Sequence, residues 1–167
     1  MNINLVNFLL ELFAGIGFLL SVYAYNVEVS FEEDNSYVAM CDISQHMSCT
    51  KAFSSEYGKG FGLTRLIFGE DSALNLPNGA LGLIFYSVFG LLCFSTSSLS
   101  SKVMISMAIA SNLTSLWLAY VLYFVLYDAC VVCISLYVVN ATLLWLSLHR
   151  QSIVAGYNKK QHKMKQK

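Results

Sequence analysis

Four long apolar runs constrain this chain more than any other feature. They cover residues 5–24, 79–98, 103–127 and 129–148. Each is near the ~20 residues a helix needs to cross a ~30 Å hydrocarbon core. None alternates polar and apolar residues with period two, which excludes a membrane β-barrel. With 56% hydrophobic and 12% charged residues, a soluble domain of 167 residues could not hide so much apolar surface around one core. Disorder requires the opposite composition. Nucleic-acid binding has no basic face to work with. The chain therefore reads as one all-α integral membrane domain, a four-transmembrane-helix bundle. A loop and cap over residues 25–78 joins spans 1 and 2, and a tail covers 149–167. Gly79, Gly82 and Gly90 in the second run suit close helix packing.

Charge gives the bundle a direction. Ten basic residues cancel ten acidic ones, but unevenly. Residues 25–78 carry Glu28, Glu32, Glu33, Asp34, Asp42, Glu56, Glu70 and Asp71 against Lys51, Lys59 and Arg65. After Leu148 come Arg150 and five lysines with no acid. By the positive-inside rule the tail, Lys102 and both termini are cytoplasmic. The acidic loop and the turn at Asp128–Cys130 then share the lumenal face. Met1–Tyr25 lacks a basic n-region and an A-x-A site, so it reads as a retained anchor. The sequons at Asn112 and Asn140 fall mid-span and read as interhelical hydrogen-bonding residues. Lys163 and Lys165 resemble a dilysine retrieval signal of the endoplasmic reticulum. A solvated basic tail explains them equally well. Glu11, costly in lipid, has no assigned role.

Four of the five cysteines fall on the lumenal side. Cys41 and Cys49 lie in the loop, and Cys130-Val-Val-Cys133 opens span four. Cys93, inside span two, reads as a small packed hydrophobe. One helical turn puts the two sulfurs of a C-x-x-C on one face, where they can close or open a small ring. In the first turn of a helix, free N–H groups favour the thiolate, the species that attacks disulfides and electrophilic carbon. Asp128 opposes this unless it points to water or caps the helix. A zinc site lacks ligands, since His46 is the one loop histidine. Purely structural disulfides remain an alternative, but a staple gains nothing from sitting at the mouth of a membrane bundle.

At these residues the chain resembles the vitamin K epoxide reductase family, from about Ser21 to Ser147. The matching stretches are Cys41-Asp42 with Ser48-Cys49, Phe53-Ser54-Ser55, Gly58 to Leu63, Leu74-Asn75 with Pro77-Asn78, Ile84-Phe85-Tyr86, and Tyr123 to Asp128 leading into Cys130–Cys133 and Tyr137. The resemblance implies a thiol-dependent enzyme of the endoplasmic reticulum membrane. It would reduce vitamin K epoxide and quinone at the lumenal face. Cys130 and Cys133 would be catalytic, with Cys133 facing the ring. Cys41 and Cys49 would relay electrons from a lumenal thioredoxin-like partner, Cys49 exchanging with Cys130. No cofactor or metal would be bound, and an external dithiol would supply the electrons. Asn78 and Tyr137 would hydrogen-bond the substrate's ketone oxygens, as an amide and a phenol can. A Pro-Asn-Gly turn also accounts for Asn78. Tyr137 is one turn from Cys133, on the same helix face. Phe53, Phe61, Phe85, Leu118, Leu122 and Val132 are expected to line the pocket, though each also suits plain core. The loop is expected to move or close to bring Cys49 to Cys130. The chain departs from the vertebrate pattern at Glu56 and Tyr57, where arginine and tryptophan are usual.

Two other functions share parts of this pattern. A quinone-linked oxidase that makes disulfides in folding proteins would use the same thiols in reverse. A claudin-like four-span protein also carries two loop cysteines. That class has a tryptophan signature before them, and residues 25–78 contain no tryptophan.

Overall fold

The structure is a computed structural model that describes residues 2–44, 46–62, 64, 69, 75–95 and 97–165, with side chains described as far as Tyr157. Leu63, Arg65, Glu70, Asp71 and Leu74, and the side chains of Lys163, Lys165 and Lys167, lie outside the described residues. The elements are α1 (Ile3–Glu33), the short α2 (Cys49–Ser54), a 3-10 turn (Gly60–Gly62), α3 (Asn78–Cys93), α4 (Ser98–Tyr120) continued by a π turn (Val121–Val125), and α5 (Val131–Lys165). Among the described residues there is no strand, only isolated bridges.

Three helical segments are long and apolar enough to cross a membrane: Ile3–Glu33, Ser98–Val125 and Val131–Tyr157. α3 has 16 residues. At 1.5 Å per residue it is about 24 Å long, short of a full hydrocarbon core. Apolar side chains cover the outer surface; Leu19, Leu91 and Leu116 are each about two-thirds exposed (67%, 70% and 69%). In water such a surface would drive aggregation, whereas lipid solvates it.

α1 lies along α3 and α5, and α4 packs on α5. Small residues let α1 and α3 approach closely. A Cβ on Gly17 would overlap the Tyr86 ring, and one on Gly82 would overlap Ser21. Gly79 meets the Tyr25 backbone in the same way. Gly90 does not join this interface, because its surroundings are open. Two buried clusters fill the bundle. The larger includes Val6, Leu10, Phe89, Cys93, Met104, Leu143 and Leu146. The smaller, at the loop end, holds Ala24, Val27, Ala39, Cys49, Phe53, Leu122, Cys130 and Val132. Cys93 packs as a hydrophobe, as its sequence context implies.

Both mid-span asparagines hydrogen-bond between helices. Asn112 Nδ2 donates to the Asn140 carbonyl at 2.9 Å. Asn140 Oδ1 accepts from the Tyr86 hydroxyl at 2.8 Å, and its Nδ2 donates to Ser115 Oγ at 2.9 Å. One side chain thus ties α3, α4 and α5 together. Asn140→Leu deletes two of these bonds and leaves Tyr86 and Ser115 without partners. A loss of about 1–2 kcal/mol is expected. Thermal unfolding of the full chain in detergent checks it; an unchanged melting temperature would show that the network contributes nothing.

The helices depart from the apolar runs at three places. α1 continues to Glu33 instead of ending near residue 24, so Glu28 belongs to a helix and is 5% exposed. The reason lies in α3, whose N-cap residue is Pro77 and offers no side-chain cap. The Glu28 carboxyl group accepts the Gly79 N–H (3.1 Å and 3.3 Å to its two oxygens) and supplies that cap from across the bundle. α4 gives way at Val121 to the π turn, and Tyr127 takes a left-handed backbone (φ 52°) before α5. α5 runs unbroken to Lys165, through the region expected to be tail. Arg150 is consequently inside the bundle with 0% exposure.

Candidate active site

Between the two clusters lies a cavity of about 420 Å³, within the range of small-molecule sites (about 300–1,000 Å³). Every long helix contributes to its wall. Cys133, Leu136, Tyr137 and Asn140 come from α5 at spacings of three and four, one face of a helix. Met107, Ser111, Ser115, Leu118 and Leu122 form the matching stripe on α4 and its π turn. Asn78, Gly82, Phe85 and Tyr86 come from α3, and Phe53, Tyr57 and Phe61 from the loop.

The expected site residues are therefore brought together with few exceptions. Phe53, Phe61, Phe85, Leu118, Leu122, Asn78, Cys133 and Tyr137 all line the cavity. Val132 does not. It is about 100° round the helix from Cys133 and packs in the smaller cluster with Cys49 and Phe53. Cys130 is fully buried behind the wall. Tyr86, Ser115 and Asn140 line the cavity without having been expected there. The spacing from Cys133 and Leu118 along their helix faces carried the signal for the last two.

The cysteines occupy two redox states. Cys41 and Cys49 form a disulfide, while Cys130 and Cys133 are free thiols. α5 begins at Val131, so Cys130 sits at the N-cap position rather than in the first turn. There its sulfur accepts the Cys133 N–H at 3.3 Å, the bond an N-cap side chain makes. The hydroxyl of Tyr137, which lines the cavity, has no hydrogen-bond partner among the described residues. Asn78 is more occupied. Its Nδ2 donates to the Tyr57 carbonyl at 2.6 Å and its Oδ1 accepts the Phe61 N–H at 2.9 Å, leaving one amide hydrogen uncommitted. Asn78 opens α3 and also lines the cavity.

A backbone bridge docks the loop beside the C-x-x-C. The Ala129 N–H donates to the His46 carbonyl at 3.1 Å, and the Ser48 N–H donates to the Ala129 carbonyl at 3.0 Å. Cys49 and Cys130 each follow one partner of that second bond, and both are fully buried in the same cluster. The loop is thus docked with Cys49 and Cys130 in one buried cluster. Asp128 fastens it. Its Oδ1 accepts from the Ser48 and Ala129 N–H groups (3.2 and 2.8 Å), and its Oδ2 lies 3.4 Å from the Lys51 ammonium. Asp128 thus turns from the C-x-x-C toward the loop.

Ser48 caps α2 by accepting the Lys51 N–H at 3.1 Å, which orients Cys49 at that helix's first position. Asp42, beside Cys41, accepts the Thr50 N–H at 3.0 Å. Partial burial opposes its charge, but the Thr50 hydroxyl and N–H outweigh that and hold its carboxyl below the usual carboxylate range. The Tyr23 hydroxyl reaches Cys41 Sγ at 3.5 Å. Cys41, Asp42 and Cys49 cluster closely enough to resemble a metal site, but the two sulfurs are bonded to each other.

Comparison with known proteins points to a family. The profile of the vitamin K epoxide reductase family matches residues 8–148. The chain is 40% identical over 134 residues to the vitamin K epoxide reductase complex subunit 1 of Rattus norvegicus, covering 80% of this chain and 83% of the rat protein. It is 39% identical to the Mus musculus protein of the same name over the same length and shares.

Proposed function

The chain belongs to the vitamin K epoxide reductase family and is an oxidoreductase of that family, and from this premise we propose that it reduces vitamin K epoxide and quinone with electrons relayed through its loop cysteines. One observation carries the reading. A free thiol, Cys133, faces a largely apolar cavity that also presents Tyr137 and Asn78, with a second thiol one helical turn behind it. An apolar ring fits the walls, and the two polar groups suit its ketone oxygens.

The chemistry balances on these groups. Cys133 sulfur attacks a ring carbon and the epoxide C–O bond breaks, its oxygen taking a proton. Cys130 sulfur then attacks Cys133, the S–C bond breaks and its electron pair returns to the ring. Water leaves, giving the quinone and a Cys130–Cys133 disulfide. Reduction of a quinone consumes the same two thiols, whose two electrons and two protons form the hydroquinone. Tyr137 and Asn78 stabilise the negative charge that develops on the ring oxygens.

Cys49 next attacks Cys130, and Cys41 resolves the mixed disulfide. An external dithiol, carried by a thioredoxin-like protein, reduces the resulting Cys41–Cys49 bond. A Cys41–Cys49 disulfide beside the free Cys130 and Cys133 thiols is consistent with redox-active cysteines. We assign the loop to the lumen of the endoplasmic reticulum and both termini to the cytoplasm, with α3 as the fourth span. The acidic loop and the lysine-rich C-terminus support that orientation.

Cys41→Ala separates relay from catalysis. Turnover with a thioredoxin-like protein should fall by about a hundredfold or more, because the resolving thiol is gone. Turnover with a small membrane-permeant dithiol should stay within a few-fold of wild type. Equal loss with both reductants would sink the relay.

A further inference from the structure

The Gly60–Gly62 turn brings Phe61 to the cavity wall on an unusual backbone. All three residues are left-handed, with φ of 53°, 59° and 71°. Glycine adopts this conformation freely, but Phe61 does not, and a bulky residue there costs on the order of 1 kcal/mol or more. Such a conformation persists only where the surroundings over-determine it. Two side chains from different helices do so. Asn78 of α3 accepts the Phe61 N–H, and Trp117 of α4 donates its indole N–H to the Phe61 carbonyl at 3.0 Å. The turn is packed from below as well, since a Cβ on Gly62 would overlap the Tyr57 ring. Phe61 and Tyr57 line the cavity, whereas Trp117 does not.

We propose that Trp117 is a positioning residue that, through Phe61 and together with Asn78, latches this turn closed over the cavity and so sets the affinity for the substrate ring. Trp117 touches no part of the cavity itself, so its effect on a ligand passes through the Phe61 carbonyl. Asn78 links the turn to the ligand. The same amide that holds the turn by Tyr57 and Phe61 has one hydrogen left for a ring ketone. A bound ketone therefore strengthens the orientation that keeps the turn in place. A quinone or its epoxide, planar or nearly so and bearing ketones, is the ligand class this suits; that ligand assignment rests on the proposed activity.

Trp117→Phe keeps an aromatic ring and deletes the N–H. Losing one neutral hydrogen bond corresponds to about a three- to tenfold effect. The KM for quinone should rise by about that factor in the full chain in lipid nanodiscs, with kcat within about twofold. Alkylation of Cys133 by a polar maleimide, followed by mass spectrometry, should speed up by a similar factor. Trp117→Tyr, which also lacks the indole N–H, is the second variant should the first fail to fold. Trp145→Phe, on an exposed tryptophan (61%), should change neither readout. Unchanged KM and unchanged Cys133 alkylation in a folded Trp117 variant would overturn the latch. Faster alkylation in an enzyme whose wild type reduces no quinone would keep the latch and overturn the proposed activity instead.

Discussion

Cys133→Ala should abolish epoxide and quinone reduction with every reductant, a loss of about a thousandfold or more. Cys133 lines the cavity, while Cys130 is buried behind its wall. No other described free thiol can substitute, because Cys93 is buried in the larger cluster. Reduction in this scheme forms a bond between sulfur and the ring or passes electrons directly from that sulfur. Neither step survives as a methyl group. Binding should persist, since the apolar walls, Tyr137 and Asn78 are untouched, so the variant should still quench or shift the signal of a bound quinone. Cys130→Ala offers the contrast. It keeps the attacking thiol but removes the resolving one, so a stable adduct on Cys133 should accumulate and be visible by mass spectrometry. Full quinone reduction by Cys133→Ala with a small dithiol would refute the mechanism.

The second large effect lies at the opposite end of the bundle. Arg150→Leu should destabilise the protein by about 3 kcal/mol, and Arg150→Lys by less. The Arg150 guanidinium is wholly buried. Its Nε donates to Asn7 Oδ1 at 2.8 Å, one Nη donates to Ser101 Oγ at 3.1 Å and meets Met104 Sδ at 3.0 Å, and the other donates to the Ser95 carbonyl. Those partners belong to α1, α4 and the α3–α4 turn, so one side chain ties α1, α4 and α5 to that turn. Among the described residues no carboxylate pairs with it. Leucine would fill part of the volume yet leave three polar groups without a donor. Lysine would keep the charge but lose the planar fork that reaches several partners at once. The measurement is the melting temperature of each variant in detergent, together with the yield of folded protein. A leucine variant as stable as wild type would show that the buried charge costs as much as its hydrogen bonds return.

The two ends of the molecule were unequally legible in the chain. Cys133, Leu136, Tyr137 and Asn140 share a face because of helical spacing alone, and so do Leu118 and Leu122. Cys133, Tyr137, Leu118 and Leu122 were legible as site residues from it, whereas Asn140 read as an interhelical hydrogen-bonding residue and Leu136 was not singled out. Val132 shows the limit of the same logic. It was expected to line the cavity, but the helix's rotation places it in the core instead. Arg150 and Glu28 show a deeper limit. A formal charge in a sequence reads as surface, because an isolated buried charge is costly. What reverses that reading is a set of partners dozens of residues away, Asn7 and Ser101 for one and the Gly79 N–H for the other.

By itself the sequence determined that the chain is all-helical and membrane-embedded, that its C-x-x-C opens a helix, and that it resembles the vitamin K epoxide reductase family. Each rests on short-range facts: run length, residue spacing and local motifs. Only the tertiary structure decided that the loop docks on Ala129, so that Cys49 and Cys130 share one buried cluster. Only it showed that Glu28 completes α3, that Arg150 locks the far end, and that Trp117 and Asn78 hold Phe61 in a strained turn. These are satisfactions of individual hydrogen-bonding groups between segments far apart in sequence. Helical periodicity says which way a side chain faces, but only packing brings the partner it finds there.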